Sequence, residues 1–200
     1  MRQLRCLIAV CAGSAIACES PTLSDPRLAR RMSADQTAGW NPVVHTVTGE
    51  GSFDLSAAGR GPAQFTITVQ QRADGSSRGS FWQYREHEGL TVEFTGQVTC
   101  LAFDPVNHRA WVGGIILENR STDPAARVDT LHTPGMDIWF RVVDYGEGSK
   151  KSEDRSTVFG FKWSAGIITS AEYCAVRPWP MTPVPDARTF PVTVGNVQVK

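Results

Sequence analysis

The sequence predicts an all-β domain, an antiparallel sandwich or barrel of about eight strands. Three observations carry this prediction: apolar and polar residues alternate in short segments along much of the chain, turn-forming residues separate those segments, and no segment shows the apolar period of an amphipathic helix. Strands that follow one another without intervening helices favour a sandwich or barrel over a parallel sheet.

The clearest strand covers residues 64–69, where Phe65, Ile67 and Val69 fall on one face. A tight-turn sequence at 73–75 separates it from an aromatic-rich strand, so the sequence predicts a hairpin here. The other strands, besides one or more after Val43, are expected at residues 80–85, 90–103, 109–118, 136–145, 157–163, 171–176 and 189–200.

Three strands carry finer predictions. The alternation in 90–103 places Cys100 on the same apolar face as Val98 and Ala102. The pair Gly113 and Gly114 inside a strand predicts a bulge or a close backbone approach. In 189–200 the apolar parity shifts at residues 195–196, which predicts a bulge or turn there.

The first 17 residues have the three parts of a secretory signal peptide. Arg2 and Arg5 give the positive charge, residues 6–12 are apolar, and the segment 15–17 reads Ala-Ile-Ala, a cleavage pattern. The apolar run is much shorter than the roughly 20 residues that span a bilayer. We therefore expect cleavage after residue 17.

The five residues 14–18, Ser-Ala-Ile-Ala-Cys, resemble the lipobox of bacterial lipoproteins. That resemblance implies that Cys18 receives diacylglycerol after cleavage. Ala15 departs from the usual leucine and leaves ordinary cleavage as the alternative. The domain prediction is a signal peptide at 1–17, a tether with the lipid-attachment cysteine at 18–42, and a β-domain at 43–200.

Cleavage would leave 183 residues. The full chain has 20 basic and 20 acidic side chains, and the removed segment contains Arg2 and Arg5 but no acidic residue, so 18 basic and 20 acidic side chains remain. A nearly neutral chain without a basic block argues against nucleic acid as a partner. The expected partners are a membrane, through the lipid anchor, and an unknown small molecule or envelope component. The expected location is the outer membrane or cell surface, with a periplasmic or secreted soluble protein as the alternative.

Three of the five cysteines would survive cleavage. If Cys18 carries lipid, Cys100 and Cys174 remain and are predicted to form a disulfide in an oxidising compartment. Two separate buried thiols are the alternative. No cysteine or histidine lies near either one at ligand spacing, so a metal site is disfavoured.

The segments 96–101, 107–114 and 142–148 resemble a pattern in uncharacterised secreted bacterial β-domain proteins with a lipoprotein-type leader. The resemblance covers roughly residues 43–161. It implies an all-β extracytoplasmic domain, and it implies no activity or catalytic residue.

No catalytic, cofactor or metal-binding residue is predicted. The loop after Asp144 carries Glu147, Glu153 and Asp154, but Lys150 and Lys151 interrupt it. A solvated loop is therefore favoured over a Ca²⁺ site. A general base at Asp144, with Glu147 or a distant His132 as partner, is a weaker hypothesis.

Aromatic residues on several strands suggest a ligand cavity. Trp111, Trp139 and Trp163 are the candidates to line the lumen of a barrel. The leading functional hypothesis is a lipid-anchored extracytoplasmic binding or envelope-structural module. The alternatives are a barrel that binds a small apolar ligand and a hydrolase that uses carboxylates near residues 144–147.

Overall fold

The computed structural model describes residues 40–56, 60–146, 153–162, 166–180 and 186–200. In these residues eight strands form one closed antiparallel barrel, in which each strand pairs with the next and the last pairs with the first. The all-β prediction is confirmed. The strands are β1 (Val43–Phe53), β2 (Ala63–Arg72), β3 (Ser77–His87), β4 (Leu90–Asp104), β5 (Arg109–Asn119), β6 (Asp137–Val143), β7 (Arg155–Ser156) and β8 (Phe190–Val199).

Apolar side chains fill the barrel interior because each strand alternates between the inner and the outer face. In β2, Phe65, Ile67 and Val69 are buried while the threonines between them are exposed. Phe81 of β3 and Phe140 of β6 meet edge-on across the interior, with ring centroids 5.6 Å apart. The predicted hairpin between residues 64–69 and 80–85 is present as β2 and β3.

A bulge at Thr99 reverses the faces of β4. The pairing register with β5 shifts between Val98 and Cys100, so Val98 and Leu101 both point inwards. Cys100 and Ala102 point outwards and pack in a separate cluster. The prediction that Cys100 shares a face with Val98 is therefore wrong, although its pairing partner was predicted correctly.

The Cys100–Cys174 disulfide is present, with the two Cα atoms 6.3 Å apart. The strand predicted at 171–176 is wrong. Cys174 lies instead on the short helix α2 (Ser170–Val176). Thr169 accepts a hydrogen bond from the Glu172 N–H at 3.2 Å, and this cap starts the helix. α2 lies against the outer face of the barrel over β4, β5 and β6.

The glycine pair in β5 permits close approaches on both faces, as predicted. A Cβ at Gly113 would lie 2.6 Å from the Cys100 Sγ and 2.8 Å from the Ser170 Cβ, so this glycine lets α2 approach the barrel. A Cβ at Gly114 would lie 2.8 Å from the Phe81 ring inside the barrel. Both contacts are shorter than side-chain carbons tolerate.

The connection between β5 and β6 holds a second short helix, α1 (Pro124–Val128), and a 3-10 turn at Thr130–His132. The predicted strand at 157–163 is wrong for its described residues, 157–162, since β7 ends at Ser156 and a single bridge joins Trp139 to Gly160. In β8 the register shifts next to Val192, about two residues before the predicted position.

The predicted signal peptide, the tether through residue 39, Cys18, Trp163 and Glu147 lie outside the described residues. Among the residues that are described, no helix is long and apolar enough to cross a membrane.

Candidate functional site

A pocket opens at the end of the barrel where β2 begins, β3 ends and β4 begins. We call it the barrel-mouth pocket. Its volume is about 210 Å³. Its lining residues come from five parts of the chain: Arg60, Gln83, Arg85, Val92, Phe94, His132, Val158, Phe159 and Phe161.

Aromatic rings form most of the pocket wall. Phe94 lies 5.6 Å from Phe161 and 6.2 Å from Phe159, measured between ring centroids. The His132 ring lies 4.4 Å from Phe161 and 5.0 Å from Phe94. Edge-to-face and tilted contacts of this kind hold the rings in fixed positions. The wall therefore offers a preformed apolar surface to a ligand.

Gln83 fixes the segment that separates this pocket from the outside of the barrel. Its side-chain amide donates to the Thr157 carbonyl at 3.2 Å and accepts from the Phe159 N–H at 3.0 Å. Gln83 is buried, so the two bonds satisfy an amide that would otherwise be costly to bury. The pair also positions Phe159 against the pocket.

Two arginines lie at the rim. Arg85 occupies an inward-facing position of β3, two residues after Gln83 and opposite Val92 of β4. Arg60 precedes β2 and is held beside β3, because Gly61 packs directly on the Glu86 carbonyl. Burial, and then the positive charge of Arg60, lowers the pKa of Arg85 below its ordinary value.

A charged cluster around one arginine lies on the outer face of the barrel. We call Arg109, Tyr145, Trp179 and Asp186 the outer cluster. The Asp186 carboxylate accepts from the Arg109 guanidinium at 2.9 Å, from the Trp179 indole at 2.7 Å and from the Tyr145 hydroxyl. The Arg109 guanidinium carbon lies 4.4 Å from the centre of the Trp179 ring.

These contacts change the ionisation of the outer cluster. Burial alone would raise the pKa of Asp186, but the bonds from Tyr145, Trp179 and Arg109 lower it below its ordinary value. Burial and the adjacent carboxylate raise the pKa of Tyr145 to about 12. The cluster therefore holds a charged carboxylate between fixed donors, as a structural tie does.

Two of the predicted lumen tryptophans, Trp111 and Trp139, lie outside the barrel, and the third, Trp163, is outside the described residues. Trp111 and Trp139 alternate with the inward-facing Val112 and Phe140, and both pack beneath α2. Tyr173 of α2 stacks on Trp139 with ring centroids 5.5 Å apart. Trp139 also borders a groove of about 190 Å³ on the outer face.

Two carboxylates of the predicted loop, those of Asp144 and Asp154, bind backbone amides. Asp144 accepts the N–H groups of Gly146 at 2.7 Å and Val199 at 2.9 Å. Asp154 accepts those of Tyr145 at 2.9 Å and Val197 at 2.8 Å. These bonds hold β8 beside the end of β6.

His132 does not approach Asp144. It precedes β6 whereas Asp144 follows it, and the strand separates them by roughly 20 Å. In the described part of the chain no three His, Cys, Asp or Glu side chains lie close enough together to hold a metal ion.

Residues 75–79 read Gly-Ser-Ser-Arg-Gly, which has the spacing of a nucleophile elbow. An elbow requires a strand-to-helix turn, but this segment is the turn and first residues of the hairpin from β2 to β3. Ser77 contacts the Gln71 amide at 3.4 Å. The spacing here belongs to a hairpin.

The sequence pattern did not indicate the barrel-mouth pocket. Arg60 and Arg85 are 25 positions apart, and only the pairing of β2 with β3 brings them together. The parity of β3 was a usable signal, since Arg85 continues the inward positions of Phe81 and Gln83.

The fold and the pocket define a class: a closed eight-stranded antiparallel barrel with a small aromatic pocket at one mouth. No protein-family model, no curated protein and no solved structure shows a significant match to this chain.

Proposed function

We propose that this protein is a binding module whose barrel-mouth pocket holds a small, largely apolar molecule. The observation that carries the proposal is the preformed wall of Phe94, Phe159 and Phe161 around an open volume of about 210 Å³. Sites for small molecules are typically concave, largely apolar and furnished with a few polar groups. The rest of the barrel interior is packed with buried side chains.

The volume limits the ligand to about one ring or a short chain. A cavity of about 150 Å³ accommodates benzene, and drug-sized ligands occupy about 300 Å³ or more. A ligand of about eight non-hydrogen atoms in such a site is expected to bind with a dissociation constant on the order of 1 mM.

The proposal includes export and a lipid anchor. It is supported by the signal-like leader, the cysteine at position 18 and the Cys100–Cys174 disulfide, since disulfides persist mainly in oxidising compartments. The domain would then be held at the outer membrane or cell surface. Mass spectrometry of the mature N terminus tests this: diacylglycerol on Cys18 supports the anchor, and an intact Met1 contradicts export.

Binding is tested on the full chain with Cys18→Ser, so that no attached lipid or detergent competes for the pocket. Benzyl alcohol is the neutral probe, and amide NMR shifts are the measurement. We expect saturable shifts at Val92, Phe94 and Phe161. Titration without shifts at the barrel mouth would overturn the proposal.

A matched pair of variants separates the pocket from general surface effects. Val92→Phe should fill the pocket and abolish the benzyl alcohol shifts. Val106→Phe makes the same change in the β4–β5 turn, where the side chain is 83% exposed, and should leave them intact. Equal binding by both variants would contradict the assignment of the pocket.

A further inference from the structure

The barrel-mouth pocket combines an apolar wall with positive charge that no carboxylate in the described part of the chain neutralises. Arg60 and Arg85 both line it. Among the described residues no carboxylate oxygen lies within 4.0 Å of either guanidinium. An anion at this position would therefore meet two free cationic donors.

The negative charge of Asp123 acts to raise the pKa of Arg85, although the two side chains do not form an ion pair. One oxygen of its carboxylate caps α1, accepting the Ala125 N–H at 2.8 Å and the Ala126 N–H at 3.4 Å. Because the cap fixes its position outside ion-pair distance, Asp123 does not take the place of a bound anion.

The remaining polar groups of the pocket are already engaged. Gln83 is hydrogen-bonded to the segment at 157–159. The Ala126 carbonyl oxygen accepts a hydrogen bond from the Nδ1 of His132 at 3.1 Å. The two guanidinium groups are therefore the donors left for a ligand. Guanidinium groups bind carboxylates through paired, charge-assisted hydrogen bonds.

We infer that the ligand is a small monocarboxylate, whose apolar body lies against Phe94, Phe159 and Phe161 and whose carboxylate lies between Arg85 and Arg60. This inference rests on the proposed function and adds the chemical class of the ligand. The apolar wall favours an aryl carboxylate or a short fatty acid over inorganic phosphate, which has no apolar part to bury.

The test compares benzoate with benzyl alcohol, which have the same carbon skeleton, on the full chain with Cys18→Ser. Charge-assisted bonds should make benzoate bind about tenfold more tightly at low salt. Added salt should reduce this advantage, because it screens charges at the rim. Phenyl phosphate is a third probe, and tighter binding of phenyl phosphate than of benzoate would overturn the carboxylate assignment.

The variant Arg85→Met keeps the apolar stem and removes the guanidinium. Benzoate should then lose its advantage, so that the ratio of benzoate affinity to benzyl alcohol affinity measured on this variant approaches one. Arg78→Met is the matched control, since Arg78 is exposed at the other end of β3 and contacts Gln70 at 3.3 Å. Arg85→Lys should give an intermediate benzoate affinity, because it keeps the charge without the fork.

The outcomes separate the two proposals. Equal binding of benzoate and benzyl alcohol, or benzoate binding that survives Arg85→Met, would overturn the carboxylate inference and leave the apolar pocket standing. Failure of both probes to bind would overturn the proposed function and the inference together.

Discussion

The barrel carries arginines in two different electrostatic situations. In the outer cluster, Asp186 binds Arg109 directly, and Arg109 and the nearby Arg141 both lie over the Trp179 ring. In the barrel-mouth pocket, Arg60 and Arg85 face aromatic rings without a carboxylate partner among the described residues. An arginine bound to a carboxylate holds parts of the chain together, whereas two arginines without a carboxylate partner are suited to an anionic ligand.

Removing the disulfide, which lies on the outer face, should have the largest effect on stability and should leave the barrel-mouth pocket unchanged. The Cys100→Ser, Cys174→Ser double variant frees a loop of 74 residues and should lose roughly 4 kcal/mol, by loop-closure entropy. Urea unfolding measures the loss. Benzoate binding under native conditions should persist, because the disulfide lies on the outer face and none of the residues that line the barrel-mouth pocket belongs to α2. A loss below about 1 kcal/mol would show that packing on Trp139 holds the helix without the bridge.

Breaking the ion pair of the outer cluster should have the next largest effect. Asp186→Asn keeps the shape but removes the carboxylate charge that the mostly buried Arg109 guanidinium contacts at 2.9 Å. Such changes cost about 3 kcal/mol. The measurement is the free energy of unfolding in urea. An unchanged free energy of unfolding would contradict the view that the ion pair between Arg109 and Asp186 ties the chain around Asp186 to the barrel.

Acid should weaken the same tie. Because the pKa of Asp186 is lowered in the folded protein, its contribution to stability is present above the unfolded value of about 3.9 and is lost as the pH falls through the folded value. The difference in unfolding free energy between the wild type and Asp186→Asn should therefore narrow below roughly pH 4. A difference that stays constant on acidification would assign the loss to packing.

The smallest effect is expected at the mouth. Arg85→Met removes a partly buried charge that has no ion pair, so stability should stay within about 0.5 kcal/mol of the wild type, as at most such positions. Arg109→Met, the same change in the outer cluster, should lose about 1–3 kcal/mol because it strands the Asp186 carboxylate. The measurement is thermal unfolding. Equal losses of stability in the two variants would contradict the view that Arg109 is held by an ion pair and Arg85 is not.

Sequence patterns alone predicted the parts of this protein that depend on neighbouring residues. The alternation in residues 64–69 predicted β2 and its inward face, and the turn at 73–75 predicted the hairpin. The pairing of Cys100 with Cys174 followed from elimination among five cysteines. Gly113 and Gly114 indicated close approaches, because glycine is the residue that leaves room for them.

The tertiary structure decided the rest. The apolar alternation through Val98, Cys100 and Ala102 continues without a break, and only the pairing with β5 shows that Thr99 is an extra residue that turns Cys100 outwards. α2 is too short for a helical period, although Thr169 and Glu172 have the spacing of a capping box. Its helical form depends on burial against Trp139.

The candidate site lies entirely in this second category. Arg60 and Arg85 read separately as ordinary surface charges, and Phe161 reads as part of a strand that does not form. Strand pairing between distant segments places them around one pocket, and the absence of a nearby carboxylate in the described residues gives the pair its expected role. The sequence by itself determined the fold class and the disulfide, because these follow from local periodicity and from residue type. Only the tertiary structure decided which charges are neutralised, because that depends on distances between segments far apart in the chain.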